Sequence, residues 1–171
     1  MASQKGYVIK AVAKTPKIKI EADTKKGRQE AVAALVSGVH KAALRIESFL
    51  PPLLNKAMES EVWSWPRSTL RQNGSMAGLS RDIVDTGRLR DSLSVDVKFM
   101  KTQTNFMIKY SAPYAAIVHE GGYVAPYGRT DLPTRSIPAR PWITAAIEGG
   151  YPGIQALNIE AEMMISIREA W

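Results

Sequence analysis

The sequence predicts an α+β fold, in which a small antiparallel sheet around a central hairpin packs against a long N-terminal helix and a C-terminal helix. Apolar and polar residues alternate in two neighbouring segments, 93–100 and 105–110, as they do in half-buried strands. Apolar residues recur at steps of three and four in 27–50 and again in 154–171, as on one face of a helix. With 171 residues, 45% of them hydrophobic, the chain is long enough to bury one core.

Residues 1–26 are interpreted as an extended basic N-terminal arm. Residues 1–28 carry eight basic and two acidic residues, a net charge of +6, whereas the whole chain has a net charge of +7. The strand-like run of Tyr7, Ile9 and 10–12, and the alternation of Ile18 and Ile20 with lysines, predict strands that extend the sheet or pair with a neighbouring subunit. A solvated, mobile terminus is the alternative. The side chains expected to contact DNA phosphates or another subunit are Lys5, Lys10, Lys14, Lys17, Lys19, Lys25 and Lys26.

Residues 27–171 are predicted to form a single domain that opens with the long helix. Asp23 or Thr24 can cap this helix, and Pro51-Pro52 is expected to stop or kink it. The segment 63–84 has the composition of a connector, rich in Pro, Gly and Ser. Its tryptophans, Trp63 and Trp65, are expected to cover the edge of the core, and a ligand platform is the alternative.

Short elements are expected around the hairpin. A short helix capped by Asp85 or Thr86 should precede it, and a helix over 114–120, ended by a pair of glycines, should follow it. A long loop is predicted at 121–140, followed by a helix at 144–148 with Pro141 in its first turn.

Composition excludes several function classes. The chain has no Cys and only two His, so it can form no disulfide, thiolate metal site or multi-histidine metal site. It contains no phosphate-binding glycine loop and no nucleophile elbow. No apolar stretch reaches the roughly 18 residues that span a bilayer, and no signal peptide is recognised, so a soluble intracellular product without membrane contact is expected. No cofactor and no metal are predicted.

One pair of adjacent residues, His119 and Glu120, has the composition of an acid–base dyad. Neighbours in sequence on a helix do not face each other, so the pair is not expected to converge on a substrate. His119 is instead expected to interact with the carbonyl end of its helix. The chain is therefore expected not to be an enzyme, and a small hydrolase is kept as a minor alternative.

Three motifs resemble the tail-completion or neck proteins of tailed bacteriophages, which occur in lambda-like and Mu-like phages. They are DTGRLRDSL at 85–93, YAAIVHEGG at 114–122 and IPARPWI at 137–143, in that order, with a hairpin between the first two. The matched region spans about 63–147, half of the chain. Trp142 stands where the family more often has Phe, the loop after Gly122 is longer than in many members, and the basic arm is not a family feature.

The resemblance implies a structural virion protein that is assembled in the host cytoplasm and forms a ring, a hexamer, at the head–tail junction. Its implied partners are further copies of itself, the head-closure or connector, tail-terminator and tail-tube proteins, and genomic DNA in passing. Tail terminator, tail-completion factor and head-closure stopper all remain open. The residues assigned to the assembly interface are Thr86, Gly87, Arg88, Arg90, Tyr114, His119, Glu120, Gly121, Gly122, Arg140, Pro141 and Trp142.

Arg88 and Arg90 can form charge-assisted contacts with carboxylates of a neighbour, or can simply be a solvated helix face. For the glycines, turn geometry is the alternative to direct contact. A basic nucleic-acid-binding module that acts through the arm is the alternative function.

Overall fold

The structure, a computed structural model, describes residues 7–14, 24–65, 67–71, 74–99, 103–125 and 133–171. It confirms the α+β class. The strands are β1 Tyr7–Lys14, β2 Trp63–Ser64, β3 Thr69–Leu70, β4 Met76–Ala77, β5 Ser80–Arg81, β6 Leu93–Phe99, β7 Gln103–Tyr110, β8 Gly122–Val124 and β9 Arg135–Ile137. The helices are α1 Lys25–Glu59, α2 Ala115–Glu120, α3 Trp142–Glu148 and α4 Ile159–Arg168.

The main sheet has the strand order β1-β7-β6. Strands β6 and β7 are consecutive neighbours, as the predicted central hairpin requires. Strand β1 comes from the basic arm and lies beside β7, so a strand of the arm extends the sheet of its own chain. Residues 1–6 and 15–23 of the arm, which include Lys5, Lys17 and Lys19, lie outside the described residues.

Three small antiparallel ladders occupy segments that were predicted as connector and loop. Strand β2 pairs with β5, with Trp63 opposite Arg81, and β3 pairs with β4. Strand β8 pairs with β9, with Val124 opposite Arg135, so both ends of the predicted 121–140 loop form a hairpin. The part of that loop at 126–132 lies outside the described residues.

Helix α1 begins as expected but does not end as expected. The amide of Gly27 donates to Oγ1 of Thr24 at 3.0 Å, an N-cap bond. Pro51-Pro52 was expected to stop or kink the helix, and the first of these two outcomes is wrong, because α1 continues to Glu59. Burial explains this: Leu50, just before the prolines, is 2% exposed and Leu54, just after them, is fully buried. Packing of those side chains outweighs the roughly 3 kcal/mol that an interior proline costs.

The other short elements differ in detail from the prediction. The segment before the hairpin is a 3-10 turn over Arg90–Ser92 with no side-chain cap, not a helix capped by Asp85 or Thr86. Helix α3 begins directly after Pro141, which is its N-cap residue and not a first-turn residue. Helix α4 is shorter than predicted and begins after Asn158, whose Oδ1 accepts from the amide of Ala161 at 2.9 Å.

Contacts divide the chain into two compact units. The first contains Pro52–Ser94 and Lys109–Leu157 together with the beginning of β1. Its interior is aromatic and apolar, and its largest fully buried side chains are Leu54, Met58, Tyr110, Trp142 and Ile143.

The second unit contains Ile9–Pro51, Val95–Ile108 and Asn158–Trp171. Helix α1 approaches α4 so closely here that a Cβ on Gly38 would lie 2.7 Å from the Cα of Ile167. The ring of the exposed His40 lies 4.6 Å from that of Phe99, so His40 is a packing residue. The buried side chains of this unit include Ile46, Leu50, Phe106, Ile108, Met163 and Ile167.

Candidate functional site

The three motifs meet around one cavity in the first unit, here called the motif cavity. Its volume is about 190 Å³. The first motif contributes Asp85–Arg90, the second contributes Tyr114 and Val118, and the third contributes Arg140. Motifs with 20 and 14 residues between them in sequence therefore form one local structure.

The second and third motifs are held together by their backbones. The amide of Arg140 lies 3.2 Å from the carbonyl oxygen of Val118 and 3.1 Å from that of His119. Gly121 ends α2 with a φ of +76° and a ψ of −176°, a combination essentially restricted to glycine. A Cβ on Gly121 would lie 2.7 Å from the amide nitrogen of Ala139, so the close approach of the two segments also requires glycine.

The first motif is a tight turn that presents two arginines. Gly87 is buried with a φ of +80°, and its carbonyl accepts from the amide of Asp91 at 2.9 Å. Arg88 is exposed at the motif cavity. Arg90 pairs with Glu59 at 3.4 Å and with Asp91 at 3.3 Å. Both carboxylates raise the pKa of its guanidinium, and Asp91 contributes more than Glu59. Of these two cations, Arg88 is the one that forms no ion pair with the described residues.

Arg140 lines the motif cavity and also stacks on the ring of Trp65. Its side chain is only 4% exposed, and its guanidinium carbon lies 3.7 Å from the centre of the Trp65 ring. Arg81 lies 4.4 Å from the same ring. The Trp65 ring thus forms cation–π contacts with two arginines of its own chain. Trp63, by contrast, is buried and donates from Nε1 to the carbonyl of Ala57 at 2.8 Å, as expected of a residue that covers the core.

His119 is a buried residue, so the expectation that it interacts with the helix carbonyl end does not describe its surroundings. It is 5% exposed, and its ring lies edge-on to Trp142 with 4.8 Å between centroids. Its Nδ1 lies 3.0 Å from the hydroxyl of Tyr7, which donates to Oε1 of Glu120 at 2.8 Å. Because Tyr7 has one proton to donate, the consistent tautomer has Nδ1–H donating to the Tyr7 oxygen.

Burial controls the protonation of this aromatic cluster. It lowers the pKa of His119 below its usual value of 6.5, an effect that the nearby Glu120 opposes, so the imidazole is neutral at pH 7. Burial, and then the bond to Glu120, raise the pKa of the Tyr7 hydroxyl. Burial also raises the pKa of Tyr110 to about 12, and the rings of Tyr110 and Trp142 lie edge-to-face at 5.4 Å.

The residues assigned to an assembly interface divide into three groups by exposure. Four are exposed: Thr86, Arg88, Tyr114 and Glu120. Four are buried: Gly87, His119, Arg140 and Trp142. Arg90, Gly121, Gly122 and Pro141 are intermediate. The exposed and intermediate residues can touch a neighbour at the surface, whereas Gly87 and Arg140 line the motif cavity and His119 and Trp142 pack against each other.

The described lysines of the arm lie in two elements. Lys10 and Lys14 belong to β1, and Lys25 and Lys26 form the exposed first residues of α1. Lys26 is 3.9 Å from Glu30, a fully solvated pair.

Sequence reasoning missed two participants. Tyr7 contacts residues 112 and 113 positions away, and no local pattern connects them. Arg81 lies in a connector where it carries no recognisable motif. The tryptophan pair of the connector, with a ligand platform as its alternative role, was the one signal in the sequence that pointed to this stack.

No helix among the described residues is long and apolar enough to cross a membrane. The described residues also contain no group of three side chains suited to hold a metal ion. Comparisons with protein-family models, with curated proteins and with solved structures gave no match to this chain.

Proposed function

We propose that this chain is a structural virion protein of a tailed phage, which forms a ring at the head–tail junction and completes or terminates the tail. The observation that carries the proposal is the convergence of the DTGRLR, YAAIVHEGG and IPARPW segments on the motif cavity. Three separately weak motifs that form one local structure support a shared origin better than three motifs scattered over the surface would.

Exposed apolar side chains support a role as a subunit. The apolar stripe predicted for α1 is only partly covered, since Val32 is 50% exposed, Val36 is 63% exposed and Leu44 is 48% exposed. In the first unit, Leu70 and Met76 of the β3–β4 ladder are 69% and 67% exposed. Apolar patches of this kind on a protein commonly mark surfaces that contact other proteins.

The proposed role involves no chemical step. His119 is buried against Trp142, and the Glu120 carboxylate accepts from Tyr7, so the pair that resembles a dyad is engaged in holding β1 to α2. The proposed partners are further copies of the chain in a hexameric ring, the adjoining connector and tail proteins, and DNA that passes through the ring.

Microscopy of purified particles tests this proposal. A particle that carries an epitope tag on the C-terminus of the chain should bind a gold-labelled antibody at the head–tail junction. Particles that carry the same tag on a capsid protein provide the control for labelling. Detection of the chain in infected-cell lysate and never in particles would contradict the proposal.

A nucleic-acid-binding module is the second candidate, and exposed cations at the start of α1 favour it. Lys25 and Lys26 are both exposed there, within one helical turn of Arg28. A duplex titration at two salt concentrations tests it, because neutralising several phosphates makes affinity fall steeply with salt. A weak response that does not change with salt would remove this candidate.

A further inference from the structure

Arg140 carries a buried charge whose hydrogen bonds are incomplete. Its side chain is 4% exposed, and neither Nε nor Nη2 has a hydrogen-bond partner within the described part of the chain. These two nitrogens share one edge of the guanidinium, the edge that forms two parallel bonds to a planar acceptor. Burying an ion without its bonds is costly, so an unfilled edge on a buried arginine points to a missing acceptor.

The stack on Trp65 compensates the charge only in part. The indole attracts the Arg140 cation at 3.7 Å, but it also holds Arg81, a second cation, at 4.4 Å. Burial, and then the charge of Arg81, lower the pKa of Arg140 to about 10. The guanidinium therefore remains charged at neutral pH.

Cations outnumber carboxylates around Arg140. Arg71 pairs with Asp82 at 3.0 Å, and Arg81 donates to Oγ1 of Thr69 and is attracted by Asp82 and Asp85. Three guanidinium groups thus share two carboxylates, and the exposed Arg88 of the motif cavity adds a fourth cation. A bound anion would offset this excess.

Arg140 also lines enough space for another group. It forms part of the wall of the motif cavity, of about 190 Å³, and of a smaller adjoining cavity of about 70 Å³. A water molecule takes about 30 Å³ of the liquid, so the larger space holds a carboxylate with several carbon atoms. The exposed Arg88 stands in the wall of the same cavity.

We propose that the motif cavity is a carboxylate-binding site, in which Nε and Nη2 of Arg140, which are closed off from solvent in the free protein, turn toward the cavity and bind the two oxygens of one carboxylate. A carboxylate is planar, accepts two parallel bonds from this edge, and brings a negative charge to a cluster with excess cations. This site does not depend on the neck function proposed above, and it would exist in a protein with another role.

A titration of the unaltered protein tests the site directly. The arginine Nε–H signals of nitrogen-15-labelled protein are followed by NMR as acetate, inorganic phosphate or chloride is added at constant ionic strength. We expect the Arg140 signal to shift saturably with acetate and the site to bind acetate more tightly than phosphate or chloride. No saturable shift with acetate, or tighter binding of phosphate than of acetate, would overturn the proposal.

Matched variants assign the signal. Arg140→Lys keeps the charge but removes the two-nitrogen edge, so acetate affinity should fall about ten-fold or more. Arg135→Lys makes the same change at an exposed position of β9 and should leave the affinity unchanged. Equal affinity in both variants would contradict the assignment to Arg140. If Arg140→Lys fails to fold, triple-resonance NMR assigns the Arg140 signal in the unaltered protein, and the titration still decides the question.

The carboxylate can come from a small molecule or from a side chain of a neighbouring copy. If a neighbouring copy supplies it, excess acetate competes and lowers the assembled fraction measured by light scattering. If it is a small molecule, acetate binds without changing the assembled fraction. Both results support the site and identify its source, whereas an acetate effect on assembly that persists in Arg140→Lys would count against it.

Discussion

At the scale of single residues, the first unit depends on glycines placed where backbones meet. Gly121 combines a positive φ with a close approach to Ala139, whereas Gly150 has a φ of +87° and nothing within 4 Å of a Cβ built on it. Both positions share the strain of a positive φ, and only Gly121 adds crowding by neighbouring backbone atoms. The sequence predicted that Gly121 ends a helix, but it contained no sign of the segment that lies against it.

Gly121→Ala should destabilise the protein more than Gly150→Ala. Both changes place an L residue at positive φ, which costs about 1–3 kcal/mol, and the ψ of −176° at Gly121 puts its cost at the upper end of that range. Only the methyl group added at Gly121 also meets backbone atoms, at 2.7 and 2.9 Å, which adds about 1–3 kcal/mol. Chemical denaturation of the two variants measures the difference, and equal losses of stability would show that the β9–α2 approach is not tight.

His119 should make stability depend on pH. Burial lowers its pKa in the folded state below 6.5, so the unfolded chain binds the proton more readily. The stability that the neutral ring contributes is complete above about pH 6.5 and is lost as the pH falls toward the lower, folded-state pKa.

The test compares unfolding free energies at pH 7.5 and pH 5 in the unaltered protein and in His119→Gln, which keeps a donor but does not titrate there. The loss of stability between the two pH values should be smaller in the variant, because the carboxylates common to both chains cancel in the comparison. Identical losses would mean that His119 is not buried as a neutral ring.

At the scale of elements, the alternation of apolar and polar residues predicted the central hairpin. The recurrence of apolar residues at steps of three and four predicted only part of α1. A strand with one buried face shows its register directly in the sequence. The continuation of α1 through Pro51-Pro52 was not visible, since it depends on burial of side chains on either side of the prolines. The ladders in 63–81 were missed because two-residue strands are too short to show alternation.

Gly38→Ala tests the approach of α1 to α4. Alanine normally stabilises a helix interior by up to about 1 kcal/mol relative to glycine. At this position the new Cβ would meet the Cα of Ile167 at 2.7 Å, and the overpacking should turn that gain into a net loss of about 1–2 kcal/mol.

Ser37→Ala is the control, because Ser37 is exposed on the adjacent position of the same helix. It should change the stability by less than about 0.5 kcal/mol. Thermal unfolding of the two variants gives the comparison, and a stabilising Gly38→Ala would show that the helices stand further apart.

At the scale of the whole molecule, the basic arm belongs partly to the fold. Tyr7 bonds to His119 and Glu120, and β1 lies beside β7. Deleting residues 1–26 would therefore remove a strand of the main sheet as well as positive charges. A loss of assembly in that deletion would not show that the arm pairs with a neighbouring subunit. Substituting Lys25 and Lys26, which are exposed at the start of α1, removes charge without removing the strand.

The three motifs were singled out from the sequence, but nothing in the sequence showed that they enclose a cavity. Arg140 was assigned to an assembly interface because it lies in the third motif of the resemblance. Its burial follows from long-range contacts with Trp65 and with the carbonyls of α2, which no spacing in the sequence encodes.

Arg88 should contribute to assembly from the outside of the motif cavity. It is exposed and forms no ion pair with described residues, so it can bind a carboxylate of an adjoining protein without breaking an existing bond. Arg88→Glu should lower incorporation of the chain into particles about ten-fold or more, since like charges would then meet across the interface.

Arg135→Glu changes the net charge equally at an exposed position of β9 and should assemble normally. Quantitative mass spectrometry of purified particles measures incorporation directly, so the result does not require that the isolated chain form rings. Normal incorporation of a folded Arg88→Glu chain would place the assembly contact elsewhere on the protein.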